Sequence, residues 1–563
     1  MAEPSPDSSA VPGADALFQR LERWAVEESD QLSVSFLQDL KLNSEDFTRA
    51  ELYRLVQRGA AAFRQAGLQK GDRVLIELPT CAAFAASILG AFYLGLVPAV
   101  IAPREGRTSA TAELEWRYQL DLFRPKAVVS ELPAVAGENT LHLTSETILS
   151  AAPEDAGVRV HGSEMAYVQF SSGSTGAPKA LWLDMEGIAF NLEGMHRWVP
   201  IIETDHVFSW LPVYHDMGLF GAFLLALYAG TPITMADPTL FARSPLMWFR
   251  VLQEKGCNAT VGPPSAVSGA LQLLERRPPE GLDLSHCERW LIGAEQVTPS
   301  LIRKFNKVMG AYGVSKETLK PVYGMAEVTL AGTVPRFRRT QRNERVLRQE
   351  FEHASKAILA PENTAPEQVL EWTGCGVPLE GQGIRIVDSD NNELPERHVG
   401  RILLDSLSLF TGYLEGDGIV LREGKWYDTG DLGYLVDGEI FITGRSREVI
   451  IKNGRNHAPE RIEELAGSVE GVGRGAAFGV FDERRQTERI VLYVEVHARF
   501  LREAAQRDQK RLEIRNALAS AHFEIDEVQI FAKGTLSRTT SGKIRRSAIR
   551  LEHLQQLSEQ ASN

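Results

Sequence analysis

Cysteine is scarce in this chain of 563 residues: Cys81, Cys257, Cys287 and Cys375 stand far apart, with no CxxC and no Cys/His ligand spacing. That spacing gives no disulfide framework and no zinc site, and it predicts reduced core thiols in a cytoplasmic protein. Basic excess is also lacking. The net charge is −13, so the chain as a whole has no electrostatic case for binding nucleic acid. Residues 1–14 have neither a basic n-region nor an apolar h-region, which argues against a signal peptide and predicts a disordered tail. No tandem repeat of 20–50 residues is evident. The 44% hydrophobic and 24% charged content excludes disorder over most of the chain. At roughly 150 residues per domain, the length fits three or four folding units, or one large domain with a satellite.

Uninterrupted apolar helices are missing too. Residues 81–103 and 217–236 carry no charge and approach the length of a membrane span. Each is broken, however, by Gly-x-x-Pro or Gly-x-Pro, and the two resemble each other as FYLGLVPAVIAP (92–103) and LYAGTPITMADP (227–238). They read as a buried helix feeding a buried parallel strand, twice, and not as membrane spans. Residues 72–78 and 126–130 read as further short strands. Residues 51–65 place Leu52, Leu55, Val56 and Ala60 on one helical face. Such alternation predicts an α/β fold, a large N-terminal domain of layered sheets flanked by helices. Past about residue 375, strand-and-turn texture (381–388, 438–444) predicts a β-rich subdomain. A compact α+β block follows from about 446, with helices near 459–469 and 502–522 and a strand over 489–496. The expected divisions are therefore 1–14, 15–445 and 446–563.

The densest local signal is SSGSTGAPK at 171–179, directly after a strand-like run. Small hydroxyl residues and glycines let backbone N–H groups close on phosphate oxygens, and Lys179 adds a point charge. The spacing is not that of a Walker A loop, and taken alone the stretch also fits a surface loop. Tyr323-Gly324-Met325-Ala326-Glu327 offers an aromatic face for a base and a single carboxylate suited to Mg²⁺ held with substrate phosphates. Asp428 and Asp431 lie on a turn suited to ribose hydroxyls. Arg445 with Arg447, and Lys543 in the tail, supply cations. Singly, Asp431 fits a turn residue and Lys543 a solvated charge. Their joint order is what carries the signal.

In that order the chain resembles the adenylate-forming superfamily of acyl-CoA synthetases, peptide-synthetase adenylation domains and luciferases, from about residue 15 to the end. Within it, the chain most resembles fatty acyl-AMP ligases. Three features carry this: WLPVYHDMGL at 210–219, with His215 and Asp216; Gly293-Ala294-Glu295; and a long segment between Glu327 and Gly374 that holds an insertion at about 334–372. In that subgroup the insertion is thought to restrict the hinge motion or conformation needed to use free CoA.

The resemblance implies ATP and Mg²⁺ as cofactors and a fatty acid as substrate. Ser171, Ser174, Thr175 and Lys179 would cradle the β- and γ-phosphates. Gly293, Ala294 and Glu295 would line the adenine, with Tyr323, Gly324 and Met325 beside it and Tyr323 stacking on the base. Glu327 would hold Mg²⁺, and Asp431 with Arg445 the ribose. Lys543 would pair with the substrate carboxylate and α-phosphate, with His215 a further catalytic candidate. Arg447 would be the hinge of a small mobile C-terminal domain. Met217, Gly218, Val261, Gly262 and Pro263 would line the acyl pocket. Asp216, within His-Asp-Met-Gly, argues for an unsubstituted apolar acid. The second step would deliver the acyl group to the phosphopantetheine thiol of an acyl carrier protein. No carrier domain is present in the sequence, so that carrier is expected to act in trans. Two basic clusters are candidate carrier contacts: Arg336, Arg338, Arg339, Arg342, Arg345 and Arg348, and Lys543, Arg545, Arg546 and Arg550.

The sequence also departs from the family pattern, with Ala180 after the phosphate-loop lysine and Ala458 and Arg461 in the C-terminal block. Three other readings stay open: an acyl-CoA synthetase using free CoA, an aryl- or aminoacyl-activating enzyme, and an inactive nucleotide- or acyl-binding protein.

Overall fold

A computed structural model describes residues 15–562 except 105–109, 133–139, 155–163, 172–178, 338, 416–417, 447, 453–454, 483–484, 486, 522 and 540–541. The expected tail 1–14 and hinge Arg447 lie outside the described residues.

The first buried helix shows how local chemistry sets an element. Thr48 accepts a hydrogen bond from the Glu51 N–H while the Glu51 carboxylate accepts one from the Thr48 N–H, a reciprocal cap that starts the helix Arg49–Gln65. Leu52, Leu55, Val56 and Ala60 are buried on it as their spacing predicts. The helix begins two residues before that pattern, because the cap rather than the apolar stripe sets its start.

The two charge-free segments fold as helix-to-strand units. Helix Ala82–Tyr93 leads to strand Val97–Val100. The helical run Asp216–Gly218, Leu219–Leu224 and Leu225–Ala229 leads to strand Ile233–Ala236. Gly95 and Gly230 turn the chain between helix and strand at φ +71° and +73°, the left-handed region that glycine enters without steric cost. The middle turn, Leu219–Leu224, is a π-helix, a feature frequent at functional sites. Among the described residues, no helix is long and apolar enough to cross a membrane.

The two units feed different sheets. Val97–Val100 joins a four-stranded parallel sheet with Arg73–Glu77, Ala127–Ser130 and Leu141–Leu143. Ile233–Ala236 sits in a seven-stranded sheet in the order Leu319–Pro321, Arg289–Ile292, Ala259–Gly262, Val207–Ser209, Ile233–Ala236, Leu32–Leu37, Ser44–Thr48. All pairings in it are parallel except the last. Two four-stranded antiparallel sheets follow, one containing Met165–Ser171 and Lys179–Asp184, the other Tyr427–Val436 and Glu439–Arg445.

The expected insertion contains an antiparallel pair, Asn343–Leu347 with Val369–Thr373, and the helix Arg348–Ala354. Arg397 clamps it by two 2.9 Å bonds to the buried Glu344. In the C-terminal block, strands Val472–Asp482, Thr487–Val496 and Glu527–Ala532 form a three-stranded sheet with its own apolar cluster around Ile462, Leu492 and Ile514. The observed helices there, Pro459–Gly467 and Ala504–Ser520, match the predicted ones to within two residues at each end.

Candidate active site

Four successive parallel strands of the large sheet each end in one of the motifs. After Val207–Ser209 comes the segment with His215 and Asp216. After Ala259–Gly262 comes Pro263, after Arg289–Ile292 comes Gly293-Ala294-Glu295, and after Leu319–Pro321 comes Tyr323-Gly324-Met325. Because these strands are adjacent and parallel, the motifs share the carboxyl edge of the sheet, the usual ligand crevice of open α/β sheets.

His215 caps the helical run: its Nδ1 lies 2.6 Å from Asp216 Oδ1, and Asp216 Oδ1 also accepts from the Met217 N–H at 2.7 Å. Asp216 is buried. Burial pushes its carboxyl upward, but His215, Lys543 and the Met217 N–H outweigh that and hold it below the usual range.

Tyr323, Asp431 and Arg445 form a chain of contacts. The buried Tyr323 hydroxyl donates to Asp431 Oδ2 at 2.8 Å, and Arg445 Nε lies 3.1 Å from Asp431 Oδ1. Strand register places the last pair, since Asp431 and Arg445 sit opposite each other in the hairpin of Tyr427–Val436 and Glu439–Arg445. Burial raises the Asp431 carboxyl, with Arg445 and Tyr323 opposing.

Glu327 follows in a tight reversal. Burial raises its carboxyl, Asp216 adds to the rise, and Arg445 and Lys179 oppose it. Two residues on, Thr329 sits at φ +66°, ψ −59°, with the Leu330 N–H bonded to the Val328 carbonyl: a γ-turn of the strained hand on a β-branched residue. The buried Asn191 side chain holds it, donating to the Val328 and Ala331 carbonyls and accepting from the Ala331 N–H. Asn191 was not a candidate from sequence. The signal was there: an amide side chain on the buried face of helix Met185–Trp198 needs a polar partner.

Ser171 and Lys179 are directly opposed in register at the mouth of their hairpin, and Lys179 Nζ lies 4.9 Å from the Tyr413 ring centroid. Ser174 and Thr175, on the connection between them, lie outside the described residues.

Lys543 reaches this site from the C-terminal block. Desolvation lowers its ammonium below the usual lysine range, while Asp216, Glu295 and Asp431 hold it up and Arg445 opposes them. One lysine thus lies among carboxylates drawn from three other parts of the chain. The Glu295 side chain accepts from Ser265 N–H and Oγ, each at 2.9 Å, so its carboxylate is engaged at the start of helix Pro264–Arg276.

Of the expected pocket residues, Met217, Gly218, Val261 and Gly262 are buried and Pro263 caps the helix Pro264–Arg276. Trp248 packs on Gly262, donates to Thr260 Oγ1 at 2.8 Å and meets Trp210, which stacks on Phe241 with centroids 3.6 Å apart. The surroundings are apolar and aromatic.

Several guanidinium groups of the expected basic clusters make bonds within the chain. Arg336 donates to the Asp437 carbonyl, Arg342 pairs with Asp437 and Glu344, Arg345 donates to the Glu362 and Thr364 carbonyls, and Arg348 to that of Glu367. Arg338 lies outside the described residues. In the tail, Arg546 pairs with Glu448, Glu460 and Glu463, and Arg550 donates to the Gly479 carbonyl. These guanidinium groups pin loops and the C-terminal block, because a side chain with five donors finds carbonyls and carboxylates at short range.

A model of the AMP-binding enzyme family matches residues 21–414, and the chain belongs to that family. Within that class its likeness is to fatty acyl-AMP ligases. A solved structure of fatty acyl-adenylate ligases from E. coli and L. pneumophila matches with a TM-score of 0.86 at 26% identity, covering 98% of this chain and 100% of that one. The medium-chain-fatty-acid–[acyl-carrier-protein] ligase JamA of Moorena producens is 28% identical, over 94% of this chain and 93% of its own. A putative acyl-CoA synthetase of Caulobacter vibrioides is 28% identical, over 87% of each chain. The resemblance read from the motifs is borne out.

Proposed function

We propose that the chain activates a fatty acid with ATP, forming acyl-AMP and releasing pyrophosphate, then passes the acyl group to the phosphopantetheine thiol of an acyl carrier protein. The observation that carries the first step is the placement of Lys543 among Asp216, Glu295 and Asp431. A carboxylate attacking the α-phosphorus needs two anions brought together and their charge neutralised, and it needs no protein nucleophile. Lys543 would supply that cation, with His215 held by Asp216 beside it. Asp431 and Arg445 would bind the ribose, and Tyr323, Gly324 and Met325 with Gly293 and Ala294 would face the adenine. Glu295 would act through its backbone, since its carboxylate holds Ser265. Ser171, Ser174, Thr175 and Lys179 would receive the phosphates.

Glu327 is the carboxylate that would hold Mg²⁺ together with the substrate phosphates, and the ion would supply further neutralisation of those phosphates. The apolar and aromatic lining around Trp210, Trp248 and Gly262 supports an apolar acid. In the second step the thiol sulfur replaces AMP on the acyl carbon.

The similarity to JamA supports a carrier acceptor over free CoA. So does the contact of the insertion with the C-terminal block, where Arg348 lies 5.7 Å from the Phe523 ring centroid. That contact would hinder rotation of the block about Arg447. Incubation with ATP, Mg²⁺ and fatty acids of graded length, with either CoA or a holo carrier protein, tests this by mass spectrometry. Acyl-AMP and acyl-carrier without acyl-CoA are expected. Prompt acyl-CoA formation would make the chain a synthetase.

A further inference from the structure

Lys543 is useful only if its loop is seated on the large domain, and one side chain makes that seat. Arg474, on strand Val472–Asp482 of the C-terminal block, donates from Nη1 to the Gly542 carbonyl at 2.6 Å. From Nη2 it donates across the domain boundary to Ser265 Oγ at 2.7 Å. Ser265 Oγ in turn donates to Glu295, and the Ser265 N–H holds the other carboxylate oxygen. The peptide immediately before Lys543 is therefore tied through one guanidinium to Ser265 at the start of helix Pro264–Arg276, and through Ser265 to Glu295 after the adjacent strand. Gly542 is at φ +83°, and the Lys543 N–H bonds to Thr539 Oγ1 while its carbonyl accepts from the Thr539 N–H.

We infer that Arg474 is a positioning residue for adenylation, acting through Lys543 and only in this arrangement of the two domains. The Arg474–Ser265 bond joins groups on opposite sides of the boundary, so any rotation of the C-terminal block breaks it. Its contribution is confined to the first half-reaction. Ser265 is the receiving half of the same device. The planar fork matters, since two divergent acceptors are met at once, which a lysine can do only one at a time.

This inference rests on the adenylate-forming reading, and the test separates the two. Acyl-AMP formation and, separately, transfer from supplied acyl-AMP to a holo carrier thiol are measured for wild type, Arg474→Ala, Arg474→Lys, Ser265→Ala and Lys543→Ala. Arg474→Ala is expected to lower kcat for acyl-AMP formation by about 10²-fold, the scale of an ångström's misplacement, with KM for ATP and acid within about twofold. Transfer from supplied acyl-AMP is expected at the wild-type rate. Arg474→Lys should recover part of the loss. Ser265→Ala, which keeps the fold with the smallest change, should show a weaker loss in the same step, less than additive with Arg474→Ala. If Arg474→Ala does not fold, that single variant decides. Adenylation at the wild-type rate in both, with Lys543→Ala inactive, would overturn the positioning role alone. Equal loss in both half-reactions would reduce Arg474 to a structural contact and overturn it too. A wild-type chain that makes no acyl-AMP would overturn both readings.

Discussion

Two halves of the site are built by different means. On one side, Tyr323, Asp431 and Arg445 are set by strand register within the large domain, with Asp431 and Arg445 opposed in one hairpin. On the other, Lys543 is lent by the C-terminal block and tied down by the few bonds of Arg474 and Ser265. Register is cooperative, because shifting one pair shifts every pair in the ladder. Of the two Arg474 bonds, the one to Ser265 crosses between the domains, and a single hydrogen bond breaks at a cost of a few kcal/mol at most. A side fixed by register and a cation that can leave is the division of labour that a two-step reaction on one site needs.

The largest effect should come from the lent half. Lys543→Ala is expected to slow acyl-AMP formation by about 10²–10³-fold while ATP affinity, read by titration calorimetry, stays near wild type. An equal fall in affinity would erase the distinction between the halves.

Acid should loosen the same side next. His457 is buried where the insertion meets the C-terminal block, and burial with the nearby Arg455, Lys452 and Arg348 charges lowers it to about 4. The unfolded chain, with an ordinary histidine, binds more protons between about pH 4 and 6.5. Stability is therefore full above that window and falls through it as pH drops, by about 3 kcal/mol for this group. His457→Phe should flatten that part of the thermal-unfolding profile against pH. An unchanged slope would remove His457 from the linkage.

The fixed half should show its dependence through Asn191. Asn191→Ala orphans the Val328 and Ala331 carbonyls and the Ala331 N–H beside the strained Thr329, with an expected loss of roughly 2–3 kcal/mol in denaturant unfolding. A loss below about 0.5 kcal/mol would show that the reversal holds itself. The smallest effect is expected from Asp431→Asn, which keeps the shape but removes the charge facing Arg445. ATP affinity should weaken by about tenfold, while the rate from bound ATP is little altered. A collapse in that rate instead would place Asp431 in the chemistry.

Much of this was legible in the residues. The Gly-Pro breaks in two charge-free segments marked two helix-to-strand units, since Gly95 and Gly230 adopt a backbone that few other residues tolerate. The motif residues were legible as residue types, and the fold brings several of them to one sheet edge. The partners of the basic run from Arg336 to Arg348 were not legible, since charge in a sequence carries no direction and several of these guanidinium groups bond nearby carbonyls, Asp437 and Glu344. Asp216 was legible as part of a motif, but not as the buried anion facing both His215 and Lys543.

The sequence by itself determined which elements form and which chemistries are on offer, because caps, helical stripes, glycine turns and side-chain types act within a few residues of one another. Only the tertiary structure decided that four motifs share one sheet edge, that Asn191 carries the turn behind Glu327, and that Arg474 reaches Ser265. Those pairings join groups far apart along the chain. They depend on sheet order and domain placement, which no local spacing encodes.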